Sequence, residues 1–356
     1  MEPKYCSPGN DKNKYSCFSN SSLKKIAHSF NNYYPEEAID IPTKLNSKNR
    51  ESFWKKIKSS MNYITKCNNE RCWLENNIVK SIDDSEIEES FRPKKPHSWN
   101  QNKNTWLSTT DINNVLSQYE KNSDLKYIGA VPIDFDDELS PGICVVNELC
   151  KLELKKLYLS GYRKLAIVFN LDAHYDPGSH WVSMFVDMNN GGIYYFDSYA
   201  KEPPTEIATL MERIRIMGNE MINNGIIVDL DKEHQIKSNI RFTNGNYISK
   251  SDEFIPNTPT YVLDNNHNMN RINVTLNDNY FILNEYKNYK SIVQLGFRKF
   301  YNNIRFQFEG SECGVYSIHF ITELIKGKKF IDVIHNIVDD ETINKQRDYF
   351  YRPTQS

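Results

Sequence analysis

The sequence predicts an α+β protein that begins with a helical region, and three patterns support this fold class. Near the N-terminus, apolar residues recur at helical spacing from Phe53 to Ile64. Apolar runs at residues 181–187 and 192–197 predict two strands, and the Asn-Gly turn between them favours a hairpin. Towards the C-terminus, a mainly apolar stretch from Val315 to Ile325 predicts a buried helix.

Residues 1–80 are predicted to form an N-terminal helical accessory domain, and residues 81–104 are predicted to form a linker. The linker passes from a run of acidic residues to Pro93 and Pro96. Proline lacks the N–H that a helix needs, and charged side chains resist burial, so we expect this segment to lie outside both domains. The polar, helical character of the accessory domain suggests the hypothesis that it is a docking element.

Residues 105–356 are predicted to form the second domain. Its first elements are predicted as a helix at 112–119, a strand at 127–133, a helix at 149–158, a strand at 164–170, the hairpin at 181–197 and a helix at 207–221. Residues 228–290 are polar and poorly periodic, which predicts an insertion of unknown role with possible strands at 261–263 and 280–283. A strand at residues 304–308 is then expected to lead into the C-terminal buried helix.

Charge and hydropathy exclude several classes of protein. The net charge of -2 gives no general electrostatic reason to bind nucleic acid, so no nucleic-acid partner is predicted. No apolar stretch has the length of a transmembrane helix, and the first residues lack the apolar core of a signal peptide. The sequence therefore predicts a protein without a membrane span that is not secreted and that works in a reducing, intracellular compartment.

The chain has seven cysteines, which are Cys6, Cys17, Cys67, Cys72, Cys144, Cys150 and Cys313. In a reducing compartment we expect free thiols rather than disulfides. A four-cysteine zinc site is the alternative, because the spacing of Cys67 and Cys72 is short enough for two zinc ligands. However, Cys6 and Cys17 are too far apart in sequence for a second close pair, so no metal and no cofactor are predicted.

Four residues of the second domain occur in an order that a cysteine protease can use, and they are His180, Asp197, Gln307 and Cys313. A protease thiol must lose its proton, and a helix N-terminus and a nearby imidazolium both favour the thiolate. Cys313 is placed for the first effect, because it opens the predicted C-terminal helix. Gly314 follows it and would let a substrate backbone approach closely.

Each of the other three residues has its own predicted role. His180 precedes an apolar strand and would take the thiol proton and later give it to the leaving amine. Asp197 ends the partner strand of the hairpin, so it would accept the other imidazole N–H and set the tautomer. Gln307 would donate its side-chain amide to the oxyanion, with the backbone N–H of Cys313 as the second donor.

Simpler interpretations exist for each residue alone. A buried cysteine in an apolar helix is usually a core residue, and a histidine before a tryptophan is more often structural. The joint pattern favours catalysis because all four residues fall on matching elements. His174 is a rival base, but its surroundings predict a loop at the border of the cleft, so His180 is favoured.

The sequence resembles the branch of the papain-like superfamily that contains the SUMO-specific proteases and the adenovirus protease. The motifs that carry the resemblance are His180-Trp181, Asp197 sixteen positions beyond that Trp, and Gln307-x5-Cys313-Gly314. Within this branch it is similar to the polyprotein-processing proteases of African swine fever virus and other large DNA viruses. The resemblance covers residues 105–350. It implies a central mixed β-sheet flanked by helices, with the cysteine on a helix packed against the sheet.

The resemblance also implies a function. Members of the viral branch cleave structural polyproteins after Gly-Gly or similar small-residue motifs during virion maturation. The implied partner is therefore a viral core polyprotein with Gly-Gly-X junctions, or a SUMO-like protein, and the implied location is the virion and the infected-host cytoplasm. Trp106 and Trp181 resemble substrate-contacting aromatics, and Trp181 resembles the tryptophan that roofs a glycine tunnel.

Three other functions remain open at this point. A deconjugating isopeptidase for SUMO or ubiquitin-like proteins would use the same chemistry and differ in the surface that binds the body of the substrate. An inactive module that binds Gly-Gly tails is expected to have lost one of the four residues, and none is lost here. Acyl transfer, as in bacterial effectors of the same fold, is less consistent with the long N-terminal region and the viral type of hairpin.

Overall fold

The computed structural model describes residues 5–10, 15–121, 123–227, 230, 236–239, 242–243, 246–247, 259–263, 269–272, 274–277, 280–283 and 291–353. The chain forms two compact units. Unit 1 comprises Met1–Asn122 and Glu341–Ser356, and unit 2 comprises Ser123–Asp340. Each unit has its own hydrophobic core.

The helices of the described part are α1 (Asn20–Tyr33), α2 (Arg50–Thr65), α3 (Glu70–Trp73), α4 (Asn77–Lys80), α5 (Ser85–Glu89), α6 (Thr109–Glu120), α7 (Asn147–Cys150), α8 (Leu154–Leu159), α9 (Thr205–Asn223), α10 (Cys313–Ile325), α11 (Phe330–His335), α12 (Asp340–Lys345) and α13 (Arg347–Phe350). The strands are β1 (Leu125–Pro132), β2 (Glu138–Ser140), β3 (Ile143–Cys144), β4 (Lys164–Asn170), β5 (Trp181–Asp187), β6 (Gly192–Phe196), β7 (Ile236–Asn239), β8 (Phe242–Thr243), β9 (Asn246–Tyr247), β10 (Thr260–Leu263), β11 (Met269–Ile272), β12 (Val274–Asn277), β13 (Tyr280–Leu283), β14 (Ser291–Gln294) and β15 (Arg298–Tyr301). No helix among these residues has both the length and the apolar character needed to cross a bilayer.

Unit 1 is helical, as predicted for the N-terminal region. Helix α1 begins after Ser19, whose hydroxyl oxygen accepts a hydrogen bond from the backbone N–H of Ser22, and this is a favourable N-cap. Leu23, Ile26 and Phe30 are buried because positions three and four apart share one face of a helix. This face lies in the core of unit 1, where α1 contacts α2 and α4.

Residues 81–104, which were expected to form a linker, pack within unit 1. They contain α5, and the side chains of Phe91 and Trp99 are almost fully buried. The backbone N–H of Arg352 donates to the carbonyl oxygen of Pro93 at 2.8 Å, which joins this segment to the C-terminal residues. The two units therefore divide after residue 122, because the apolar side chains of this segment are buried despite its charges and prolines.

The prediction of free thiols is wrong for six of the seven cysteines. The disulfide pairs are Cys6–Cys17, Cys67–Cys72 and Cys144–Cys150. The paired residues are 11, 5 and 6 positions apart in sequence, and local loops bring their Cα atoms to 5.0, 5.4 and 6.3 Å, which is normal disulfide spacing. The zinc alternative fails because its four cysteines pair with one another. Cys313 is a free cysteine.

Unit 2 is built on a mixed five-stranded sheet with the strand order β1-β4-β5-β6-β15. Strand β5 pairs antiparallel with both β4 and β6. The edge strand β1 pairs in parallel with β4, and the other edge strand, β15, pairs in parallel with β6. The predicted hairpin is confirmed, because Ser183 lies opposite Phe196 and Asp187 lies opposite Gly192. This register brings the start of β5 and the end of β6 to the same end of the sheet.

Helices cover the sheet of unit 2 on both faces. Met184 and Tyr195 share a core with Leu210 and Ile214 of α9 on one face. On the other face, the ring of Phe196 stacks on Phe320 of α10 at a centroid distance of 4.8 Å, and α10 contacts β5. The predicted α+β class, with a central mixed sheet flanked by helices, is confirmed.

Two local predictions differ from the structure. Residues 304–308 are irregular rather than a strand, because the backbone N–H groups of Phe306 and Gln307 both donate to the carbonyl oxygen of Ser198, each at 2.9 Å. The helix predicted at 149–158 is interrupted between α7 and α8. The possible strands at 261–263 and 280–283 correspond to β10 and β13, and much of the remainder of the segment predicted as an insertion lies outside the described residues.

Candidate active site

His180 and Asp197 meet at the end of the β5–β6 hairpin. His180 directly precedes β5, Asp197 directly follows β6, and the pairing of these strands brings the two residues together. The Nε2–H group of His180 donates to Oδ1 of Asp197 at 2.7 Å. The carboxylate of Asp197 is fully buried, and 11% of the His180 side chain is exposed. This arrangement sets the tautomer of the imidazole and leaves Nδ1 to face another group.

Cys313 is the first residue of α10 and is 3% exposed. Its side chain forms a hydrogen bond with the imidazole of His180, and Nδ1 is the ring nitrogen not engaged by Asp197. Burial opposes the charged form of His180, but the hydrogen bonds to Asp197 and Cys313 outweigh it and raise the pKa of His180 to about 9. The first N–H groups of α10 add a positive potential near the sulfur. A protonated imidazole is therefore favoured beside the sulfur of Cys313.

Asp197 is held by groups that sequence analysis did not identify. The backbone N–H of Tyr199 donates to Oδ1 of Asp197 at 2.8 Å. The side chain of Asn302 is fully buried and forms hydrogen bonds with both the N–H and the carbonyl oxygen of Asp197. A buried asparagine in a polar stretch such as Asn302-Asn303 gives no signal that would have identified it from sequence.

Gln307 is fully buried in the irregular segment before α10. Its Oε1 accepts a hydrogen bond from the hydroxyl of Ser198 at 2.7 Å, and its Nε2 donates to the carbonyl oxygen of Glu309 at 2.7 Å. The preceding residue, Phe306, has its carbonyl oxygen 3.3 Å from the hydroxyl of Tyr316, one turn along α10 from the cysteine. The contacts with Ser198 and Glu309 hold the amide of Gln307 in a single orientation.

Tyr199 covers the imidazole of His180. The two rings stack with a centroid distance of 4.7 Å and an interplanar angle of 25°. The guanidinium of Arg305 lies over Tyr199 at 5.1 Å and over Phe308 at 4.8 Å. Tyr199 thus limits the movement of the histidine ring, and together with the exposed ring of Phe308 it provides aromatic surface at this site.

His174, the alternative base, contacts a different carboxylate from His180. Nδ1 of His174 lies 2.6 Å from Oδ2 of Asp134, and the backbone N–H of His174 donates to the same carboxylate. His174 therefore has its own carboxylate partner, while His180 contacts both Asp197 and Cys313.

The predicted substrate-contacting residues have different surroundings. Trp181 is the first residue of β5 and is 5% exposed, and Gly314 is buried in the first turn of α10. Trp106 lies in unit 1, where its side chain is half exposed. In the part of the chain that the structure describes, no group of three or more His, Cys, Asp or Glu residues is arranged to hold a metal ion.

Comparisons with known proteins show that the chain is similar to viral proteases. No protein-family model matches it. A mimivirus protein, "Putative thiol protease R355" of Acanthamoeba polyphaga mimivirus, is 28% identical over 96% of this chain and 91% of its own length. A cysteine protease of African swine fever virus is 42% identical over 50 residues, which are 14% of this chain and 18% of that protein.

The fold agrees with a solved viral structure. The crystal structure of the African swine fever virus protease superposes with a TM-score of 0.51 and 19% identity, covering 90% of this chain and 95% of that one. The chain is thus similar in sequence and in fold to viral cysteine proteases. The similarity to the mimivirus protein extends over nearly the whole chain, and the fold is shared with the African swine fever virus enzyme.

Proposed function

We propose that the chain is a cysteine endopeptidase that cleaves viral structural precursor polyproteins after Gly-Gly or similar small-residue motifs during virion maturation. In this proposal His180, Asp197 and Cys313 are the catalytic triad, and Gln307 contributes to the oxyanion hole. The observation that most directly supports it is the imidazole of His180 held between the Asp197 carboxylate and the Cys313 side chain at the start of α10.

The first half of the reaction forms an acyl-enzyme. The Cys313 thiolate attacks the scissile carbonyl carbon, a C–S bond forms, and the carbonyl π electrons move to oxygen. The backbone N–H of Cys313 and an N–H of Gln307 Nε2 stabilise this oxyanion. The imidazolium of His180 then gives its proton to the leaving nitrogen, the C–N bond breaks, and the amine product departs.

The second half releases the acid product. Neutral His180 takes a proton from water, the water oxygen attacks the thioester carbon, and the C–S bond breaks to restore the thiolate and the imidazolium. Asp197 stabilises each imidazolium through the hydrogen bond to Nε2. The chemistry needs only protein groups and water, so we propose no cofactor and no metal.

Restricted access to the sulfur supports a preference for small residues. Cys313 is 3% exposed, and the stacked ring of Tyr199 covers His180 beside it. Glycine is the residue that passes most readily through a narrow passage, because it has no side chain. We propose that Trp181 and Gly314 border this passage, and that Trp106 contributes a further substrate contact.

A panel of fluorogenic peptides with Gly-Gly-X, Gly-Ala-X and control junctions, used alongside a SUMO-type fusion, tests this function with the wild type and Cys313→Ala. We expect cleavage after Gly-Gly in short peptides, lost in the variant. Cleavage of the folded fusion alone would instead indicate a deconjugating isopeptidase. Cleavage of neither substrate would contradict the endopeptidase proposal and favour the inactive binding module.

The remaining roles are proposals of the same kind. We propose that the N-terminal helical region docks the precursor, and that the enzyme works in the virion and in the cytoplasm of the infected host. Dependence of precursor cleavage, but not peptide cleavage, on surface substitutions in α1 or α2 would support docking. Equal effects on both substrates would contradict it.

A further inference from the structure

We infer that Ser198 is a positioning residue that sets the direction of the Gln307 amide in the oxyanion hole. This inference rests on the proposed role of Gln307 as an oxyanion donor. Ser198 directly follows Asp197, is 1% exposed, and donates its hydroxyl hydrogen to Oε1 of Gln307 at 2.7 Å.

The orientation of the amide follows from its two partners. The carbonyl oxygen of Glu309 can only accept a hydrogen bond, so the group 2.7 Å from it must be the Nε2 of Gln307. The hydroxyl of Ser198 then faces Oε1 and must act as the donor. One N–H of Nε2 is used by Glu309, so the proposed oxyanion contact would use the second N–H.

The backbone of Ser198 holds the same segment. Its carbonyl oxygen accepts the N–H groups of Phe306 and Gln307, each at 2.9 Å. The turn from Asp197 to Ala200, closed by the bond from the Ala200 N–H to the Asp197 carbonyl oxygen, therefore contacts both halves of the proposed machinery. It supplies the carboxylate that orients His180 and the hydroxyl that orients Gln307.

Loss of the hydroxyl would affect the transition state more than substrate binding. Without it, Oε1 of Gln307 would be a buried acceptor without its donor. The terminal torsion of a glutamine is broad, so the amide could rotate and withdraw Nε2 from the oxyanion position. The negative oxygen exists only at and near the transition state, so kcat falls while KM changes little.

A double-mutant cycle tests the inference in the full chain. We expect Gln307→Ala to lower kcat on a Gly-Gly-X peptide by about 100-fold or more, the usual effect of losing an oxyanion donor. Ser198→Ala should lower kcat by about tenfold, as expected for one buried hydrogen bond. The double variant should match Gln307→Ala alone, because a residue that acts through Gln307 has nothing to act on once that side chain is removed.

Alkylation by iodoacetamide separates positioning from a general structural effect. This reaction needs the thiolate of Cys313 but no oxyanion hole, so its rate should stay at the wild-type value in Ser198→Ala and Gln307→Ala. Ser183→Ala is the matched control, because Ser183 is a buried serine of β5 whose hydroxyl has no hydrogen-bond partner among the described residues. This variant should change neither kcat nor the rate of alkylation. Ser198→Thr retains a hydroxyl and should keep kcat closer to the wild type than Ser198→Ala.

The outcomes distinguish the inference from the function on which it rests. The inference would be overturned if Ser198→Ala lowered kcat by the same factor in the wild type and in the Gln307→Ala variant. Slower alkylation of Cys313 in Ser198→Ala would also overturn it. If Gln307→Ala leaves kcat unchanged, the proposed oxyanion role is wrong and the inference fails with it. If Cys313→Ala remains active, the proposed triad itself is wrong.

Discussion

Asn302 and Asp197 hold each other through two hydrogen bonds across 105 residues of sequence. The backbone N–H of Asp197 donates to Oδ1 of Asn302 at 2.9 Å, and Nδ2 of Asn302 donates to the carbonyl oxygen of Asp197 at 2.7 Å. Nδ2 also donates to the carbonyl oxygen of Ile304 at 3.1 Å. The side chain of Asn302 thus connects Asp197, which directly follows β6, with the irregular segment that carries Gln307.

Asn302→Ala should therefore lower both stability and activity. It leaves the buried N–H of Asp197 without a partner, and we expect the free energy of unfolding to fall by about 1–3 kcal/mol. The carboxylate of Asp197 would also lose its fixed position, so kcat/KM should fall. Urea unfolding and peptide cleavage measure the two effects. Asn303→Ala, at the exposed neighbouring position, is the control and should change neither quantity; equal effects of both variants would contradict the proposed hold on Asp197.

Activity should fall in alkaline solution around pH 9. Burial opposes the imidazolium, but the hydrogen bonds to Asp197 and Cys313 raise the pKa of His180 from 6.5 to about 9. The proposed mechanism needs the protonated imidazole to supply a proton to the leaving amine. The pH dependence of kcat/KM should thus show a descending limb near pH 9, and a limb near pH 6.5 would contradict the raised pKa.

Asp197→Asn provides the control for this limb. Without the carboxylate, a main cause of the raised pKa of His180 is lost, so the limb should move to lower pH.

The raised pKa of His180 also affects stability. A raised pKa in the folded state stabilises the protein fully below pH 6.5, and this contribution is lost as pH rises through about 9. The free energy of unfolding of the wild type should therefore decrease over this window more than that of His180→Gln.

The two histidines near β5 should behave differently on substitution. His180→Ala should reduce kcat/KM by at least about 100-fold, as expected for loss of a general acid–base, and should slow alkylation of Cys313. His174→Ala should keep most of the activity, because His174 is bonded to Asp134. Comparable losses in the two variants would show that the assignment of the base is wrong.

Tyr199 should support activity through its ring rather than its hydroxyl. The ring stacks on His180, whereas the hydroxyl makes a long contact of 3.4 Å with the carbonyl oxygen of Glu309. Tyr199→Phe should therefore resemble the wild type. Tyr199→Ala should lower kcat/KM by about 2- to 12-fold, the equivalent of one aromatic stacking contact of about 0.5–1.5 kcal/mol. A large loss in Tyr199→Phe would assign the function to the hydroxyl instead.

The residues proposed as the triad could be located from sequence because each one lies at an end of a regular element. The Asn-Gly turn determines the register of the hairpin, which brings His180 and Asp197 together, and apolar periodicity locates the helix that begins at Cys313. The element that carries Gln307 was predicted as a strand. Its irregular path depends on hydrogen bonds to the distant residue Ser198, which have no local sequence signal.

The residues that hold the site were missed for the same reason. Ser198, Tyr199 and Asn302 act through contacts with residues far away in sequence, and the types Ser, Tyr and Asn give no signal of such contacts. The boundary between the units also lies at a different position from the one predicted. Charge and proline content predicted a linker at residues 81–104, but the burial of Phe91 depends on partners that local composition does not reveal.

Unit 1 combines residues that precede unit 2 in sequence with residues that follow it. Arg352 donates from its N–H to the carbonyl oxygen of Pro93, and the hydroxyl of Tyr351 donates to the carbonyl oxygen of Asp111. During synthesis, the N-terminal segment can complete its packing only after residues 341–353 have been made. A truncation that removes residues 1–95 would remove Pro93, the partner of Arg352, whereas unit 2 is one uninterrupted stretch of chain.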